Sequence, residues 1–351
     1  MSFHGLLINN TFWTPKVSKT HDALLNKKND LINLAICIVA ISFIRTILSR
    51  FILKPIALWF NLREKKLKSS LKNTENLEKF FLKNNRPTNS EIKKFSKELK
   101  IDEKSLRNWF RQRRNVNKSS TQKKFIESSW RFTFYSVIFA YGLKSLITEH
   151  FTFNVYYLYL PYPNILSGRM YLYYLVEMSY YISSVFWLFI EVKRKDFFAM
   201  FLHHVVTITM ILLSFMTCFT KVGTVILCLH DAADIFMEAA KISKYINKQA
   251  HVTIFFFIFL LTWIITRLIY FPFWVLHTTF RIEDFLGLFP GAFVFYTGLS
   301  ILQVLHAYWF VLILRVAIQA FQGGVKKDSR SESEPSDQEV EVSTKKKIKQ
   351  N

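Results

Sequence analysis

Seven apolar runs, each about the length a helix needs to cross a bilayer, dominate the chain. They fall near 31–53, 130–148, 171–190, 199–217, 222–240, 252–276 and 293–320. In lipid the backbone must satisfy its own hydrogen bonds, so runs of this length predict spanning helices. The expected fold class is an all-α multi-pass membrane protein with about seven transmembrane helices. Arg45 and Arg50 lie near the end of the first run, where long side chains snorkel to the headgroups. The fourth and fifth runs contain His and Asp and are weaker on hydropathy alone.

Composition agrees with segregated segments. Hydrophobic residues make up 51% of the 351, yet Lys and Arg exceed Asp and Glu by 22. That combination excludes a fully disordered chain and a single soluble domain. Cys37, Cys218 and Cys228 all sit in apolar stretches, which excludes a disulfide framework and disfavours a thiolate metal site.

Loop charge sets the orientation. About 20 Lys and Arg fall in 61–129, with Lys193, Arg194 and Lys195 after the third run and Lys241, Lys244 and Lys248 after the fifth. The alternate loops, about 149–170 and 277–292, carry one Arg each, Arg169 and Arg281. The basic loops belong in the cytosol, so seven spans place the N-terminus in the lumen and the C-terminus in the cytosol. Asn9 then heads a glycosylation triplet on the luminal side, whereas the triplet at Asn117 is cytosolic.

Residues 62–121 interrupt the membrane pattern. Leu77, Phe80 and Phe81, then Ile92, Phe95 and Leu99, then Leu106, Trp109 and Phe110 mark three short amphipathic helices around an aromatic core. Arg111, Arg113 and Arg114 follow at once.

Ionisable groups inside spans are expensive and are candidate functional groups. The fourth run holds His203 and His204; the fifth holds His230, Asp231, Asp234 and Glu238 before Lys241. His203 shares a stripe with Thr207, and His230 shares one with Asp234. A short connection makes the two helices neighbours, so His and carboxylate can meet in the cytosolic half of a bundle. That pairing suits general-base or nucleophilic catalysis. A metal site, a proton relay and purely structural pairing are the competing readings; adjacent His diverge by about 100° on a helix, which disfavours the first. Arg267 and His306, in the last two runs, could each touch substrate but read first as satisfied bundle residues.

Two resemblances sharpen this. The run Leu106–Asn115 resembles the recognition helix of homeodomains, with Gln112 at the position where that family places an adenine-reading Asn. The stretch Lys193–Phe197, the pair His203–His204, and His230-Asp231 through Asp234, Glu238 and Lys241 together resemble the Lag1 motif of ceramide synthases, within the wider TLC family. A homeobox-like insert after the first span is typical of most animal members.

The resemblance implies the division of the chain and its chemistry. The parts are a luminal N-terminus (1–30), a first transmembrane helix (31–60), a small three-helix homeobox-like cytosolic insert (62–121), a TLC domain of six helices (125–322, Lag1 motif 193–241) and a disordered cytosolic tail (323–351). The implied reaction moves a fatty acyl group from acyl-CoA to the amine of a sphingoid base, with no cofactor beyond the co-substrate and no metal. His203 would accept the acyl group or act as base. Asp234 would orient it, and His204, His230 and Asp231 would position substrates or move the amine proton. Lys193, Arg194 and Lys195 would bind CoA phosphates. The loop from His277 to Phe289 would select acyl length. The implied setting is the endoplasmic reticulum membrane, among lipid, as a homo- or heterodimer. Two rivals stand beside it: a non-enzymatic TLC relative that senses or moves lipid, and a membrane-tethered regulator that binds DNA through 62–121, for which the nuclear membrane is the natural address. Ser329, Ser331, Ser333 and Ser336 among acids read as kinase sites in the tail.

Overall fold

The computed structural model describes residues 27–62, 74–85, 87–117, 120–148, 158–160, 162–164, 166–190, 196–287 and 289–321. Asn9, the basic run 193–195 and the tail lie outside them. No strand occurs among the described residues.

The helices are α1 (Lys27–Ile47), a π-helical stretch Leu48–Leu53, α2 (Lys54–Trp59), α3 (Thr74–Lys83), α4 (Asn89–Leu99), α5 (Glu103–Asn117), α6 (Thr121–Thr148), α7 (Gly168–Ile190), α8 (Phe197–Met216), α9 (Thr220–Tyr245), α10 (Gln249–Trp263), a π-helical stretch Ile264–Leu276, α11 (His277–Phe280), α12 (Ile282–Leu286) and α13 (Ala292–Phe321). Four continuous helical segments are long and apolar enough to cross a membrane: Asn29–Trp59, Phe197–Met216, Gln249–Phe280 and Ala292–Ala320. The helices over 121–148, 168–190 and 220–245 exist but fall short on that measure. Their apolar content is diluted by Lys123, Lys124, Glu127, Arg131, Glu177, His230, Asp231, Asp234 and Glu238.

The third of these segments runs further than expected. It continues past Leu276 through α11, and α12 follows almost at once, so most of the segment expected as a loop from His277 is helical. Pro272 lies inside the π-helical stretch, where its missing N–H removes one helix hydrogen bond. The wider turn carries buried Arg267 into the protein interior.

The chain divides into two compact units, Met1–Ile44 with Thr133–Met237 and Ile254–Asn351, and Arg45–Phe132 with Glu238–Thr253. In the first, α7 packs on α8, α8 on α13, and α13 on the π-helical stretch after α10. A large apolar cluster centred on Phe219, Phe271, Phe289 and Phe295 fills one end. A second, around Phe259, Trp263, Trp309 and Ile313, fills another part.

In the second unit, α3, α4 and α5 close around Leu77, Phe81, Ile92, Leu106, Trp109 and Phe110. Rings at 4–6 Å spacing, Phe80 on Phe95 at 4.0 Å and Trp109 on Phe110 at 5.1 Å, fix the packing. Thr88 caps α4 with a reciprocal box: its hydroxyl accepts from the Glu91 N–H, and its own N–H donates to Glu91 Oε2 at 2.7 Å. Glu238, buried, is held by Lys241 at 2.7 Å and by Arg131 at 4.0 Å.

A buried His and acid cluster above an apolar chamber

The turn 217–219 joins α8 to α9. The two helices leave it on either side of a chamber lined by Thr207, Met210 and Ser214 from α8 and by Gly223, Ile226 and His230 from α9. Leu299 and Leu302 of α13 close one wall. Thr279 and Ile282, from the segment expected to select acyl length, line the chamber along with Tyr159. The hydroxyls of Tyr159 and Thr279 are 3.2 Å apart there. Along α8 the lining runs from Thr207 to Ser214, a rise of roughly 10 Å.

Gly223 lets this wall form. A Cβ there would overlap the Tyr174 hydroxyl. That hydroxyl is 2.8 Å from Ser214 Oγ and donates to the Thr220 carbonyl at 3.0 Å, so it ties α7 to both chamber helices.

The motif residues gather near the other end. His203 packs edge-on to Trp309, with ring centroids 5.4 Å apart, and lies 5.6 Å from the His204 ring. Trp309 is itself steered by Asp196, whose carboxylate accepts from the indole N–H at 3.3 Å. The Tyr181 ring lies against both histidines. His203 is buried, and its Nδ1 meets no hydrogen-bond partner among the described residues.

His230 is held differently. Its Nδ1 lies 2.7 Å from the Ile226 carbonyl, which can only accept. In the uncharged ring Nε2 is therefore an acceptor. His306 Nε2, 3.0 Å away, must then be the donor. The Ile226 carbonyl thus sets the proton positions of the pair, and fully buried His306 is satisfied within the bundle by His230. Arg267 is likewise satisfied within the bundle: its Nη2 donates to the His230 carbonyl at 2.7 Å and to Asp234 Oδ1 at 3.2 Å. Its guanidinium also lies 4.3 Å over the Trp263 ring. Asp234 is therefore engaged by Arg267. Asp231 faces Glu177 of α7, a residue that motif reading did not single out. Among the described residues, no three His, Cys, Asp or Glu side chains converge as a metal-ligand set.

Glu177 was missed, and the partners of Arg267 and His306 were not foreseen, because the three come from other helices and no local spacing links them to the motif. Only its position as an ionisable group within an apolar run could have flagged Glu177.

The insert's basic residues turn partly inward. Arg113 Nε binds Glu78 at 2.6 Å, and its guanidinium lies 5.1 Å from the Phe81 ring. Arg114 donates to the Asn85 carbonyl at 3.1 Å. Arg111 is exposed.

Fold and site together define a helical membrane protein with a buried His and acid centre beside an apolar chamber. The chain belongs to the TLC domain family, which it matches over residues 124–315, and residues 63–119 match the homeodomain family. It is 39% identical to ceramide synthase 5 of Homo sapiens over 308 residues, covering 87% of this chain and 78% of that protein. It is 34% identical to ceramide synthase 3 of Homo sapiens over 337 residues, covering 92% and 86%. It is 37% identical to ASC1-like protein 3 of Oryza sativa subsp. japonica over 222 residues, covering 60% and 78%.

Proposed function

We propose that this chain is a ceramide synthase, which transfers a fatty acyl group from acyl-CoA to the amine of a sphingoid base. The observation that carries the reading is His203: a buried imidazole with an unpartnered Nδ1, one helical turn from Thr207 at the lining of the apolar chamber. An imidazole lone pair can attack the thioester carbon. A C–N bond forms, the C–S bond breaks, and CoA departs with a proton as the free thiol. The amine then attacks the acyl carbon, the amide forms and His203 is released. In the alternative route His203 takes the amine proton while the amine attacks the thioester directly. Either way Trp309 and Tyr181 orient the ring, and Arg267 balances Asp234. The chemistry calls for no cofactor beyond acyl-CoA.

The acyl chain occupies the chamber. With bonds of about 1.5 Å at about 111°, an extended carbon chain advances about 1.25 Å per carbon. The lined length of roughly 10 Å along α8 then holds about 8 carbons. Thr279 and Ile282 at the lining explain how the 277–289 segment can select length.

The helices over 121–148, 168–190 and 220–245 complete seven spans, with the N-terminus luminal, the insert and C-terminus cytosolic, and the endoplasmic reticulum as the membrane. Lys193, Arg194 and Lys195 then meet the CoA phosphates at the cytosolic mouth. Residues 62–121 form a three-helix homeodomain-like module, and the inward engagement of Arg113 favours a structural role at the membrane surface over DNA reading.

The test is sphinganine N-acylation in microsomes lacking other synthases, with a panel of acyl-CoA lengths. Wild type is expected to form dihydroceramide, and His203→Ala and Asp234→Ala to lose it at unchanged expression. Absence of product with every acyl-CoA would overturn the reading.

A further inference from the structure

Glu177 is a fully buried acid outside the Lag1 motif, on the middle of α7. Asp231 of α9, also 0% exposed, lies within hydrogen-bonding reach of it. None of the four carboxyl oxygens meets a donor at good geometry among the described residues. The Tyr173 hydroxyl lies between Glu177 and Cys228, 3.5 Å from Cys228 Sγ, and Arg267 Nη2 serves the His230 carbonyl and Asp234. Burying acceptors without donors is unfavourable, so such a pair is built for a donor that arrives from outside.

The reaction supplies one. A sphingoid base is a long-chain primary ammonium with N–H and O–H donors at one end. We propose that Glu177 and Asp231 form the site that binds the ammonium head of the base and takes its proton. The inference rests on the ceramide synthase reading and names the second-substrate site within it. Tyr181 flanks both His203 and His204 and lies in the field of both acids, so the amine and the acyl group can meet beside its ring.

The step balances. The ammonium gives one proton to the carboxyl pair and keeps its lone pair. That lone pair forms the C–N bond to the acyl carbon, and the bond from that carbon to imidazole or to sulfur breaks. The second proton lost from nitrogen goes to the leaving group. The amide product is uncharged and lacks the ammonium donors, so the pair no longer holds it. The pair then returns its proton to water before the next base binds. The groups facing the pair are Tyr173 and Tyr181 from α7, Cys228 and Asp234 from α9, and Arg267 from the π-helical stretch.

Full-length protein with Glu177→Gln tests this. The KM for sphinganine is expected to rise at least tenfold while the KM for acyl-CoA stays within twofold. The profile of kcat/KM for sphinganine should move to higher pH, because the free amine must then lose its proton to solvent. Glu177→Asp should restore part of the loss. An unchanged sphinganine KM and pH profile would overturn the proposal, and so would an equal rise in both KM values. A second measurement needs no variant. Octadecylamine should compete with sphinganine on the wild type and octadecanol should not; equal competition by the alcohol would overturn the proposal. Wild type that makes no ceramide would remove the enzyme reading itself, whereas active wild type with an indifferent Glu177→Gln would remove the ammonium site alone.

Discussion

His306 donates to the proton-free nitrogen of His230, whose tautomer the Ile226 carbonyl sets. Its Nε2–H caps the His230 acceptor, so His306→Phe leaves that acceptor buried and unpaired, a loss of about 1–3 kcal/mol in the geometry of the cluster. We expect a 10- to 100-fold fall in kcat for sphinganine acylation. His306→Asn, which can still donate an N–H, should recover part of it. Equal activity in the Phe and Asn variants would show that the ring fills space only. Phe295 makes a second residue-scale case. It lines the chamber at a level about 11 residues along α13 from His306. Phe295→Leu should lengthen the preferred acyl group by about two carbons, at about 1.25 Å per carbon, read from the products of a mixed acyl-CoA assay. An unchanged product distribution would place the end of the acyl chain elsewhere. At this scale the sequence displayed the His pair and the acid run, because each lies within a short stretch of one helix and the two helices follow one another in the chain. It did not display the partners of those residues. His306 lies 76 positions from His230, and Glu177 lies 54 positions from Asp231. Only the packing of several helices makes them neighbours.

Among the elements, α4 shows how a local signal fixes a boundary. Thr88 and Glu91 close a capping box, and Lys100 ends the helix in the left-handed region at φ 53°. The spacing of Ile92, Phe95 and Leu99 foretold the helix, and the structure adds Thr88 as its cap. The Thr88 backbone N–H, then its hydroxyl, hold the Glu91 carboxyl below the usual carboxylate range. A lowered value in the folded state means that the contribution is present above the unfolded value of about 4.3 and is lost as pH falls through the folded one. Amide protection of residues 89–99 in the full chain should therefore be lower in Glu91→Gln than in wild type at pH 7. That difference should vanish on acidification below about pH 4. Thr88→Ala, which removes the cap, should cost about 1 kcal/mol, or about fivefold in local exchange. A difference that persists at low pH would show that the carboxylate is not what holds the cap. The same helices recast the basic cluster. Arg113 bridges to Glu78 across the insert, so its removal would loosen α3 from α5 and would be a poor probe of nucleic-acid contact. Exposed Arg111 is the cleaner one.

For the whole molecule, hydropathy and function pull against each other. Four helical segments announce themselves as spans by composition. The helices carrying Glu177 and the His230–Glu238 run do not, since the polar groups that build the site lower their mean apolarity. Loop charge is independent of that dilution, and it is why the sequence supports seven spans where composition alone supports four. The two counts predict opposite positions for two exposed sites. With seven spans and a luminal N-terminus, Lys248 in the turn before α10 is cytosolic and Arg281 between α11 and α12 is luminal. With four spans and the same N-terminus the two exchange sides. The buried or apolar settings of Cys37, Cys218 and Cys228 leave a quiet background for thiol labelling. In sealed microsomes an impermeant maleimide should therefore label Lys248→Cys before detergent is added and Arg281→Cys only afterwards. The reverse pattern would remove three spans and set the basic turn after α9 in the lumen. It would leave α8 running from cytosol to lumen as before, so His203 would stay at the cytosolic end of its helix while α9 no longer crossed the membrane.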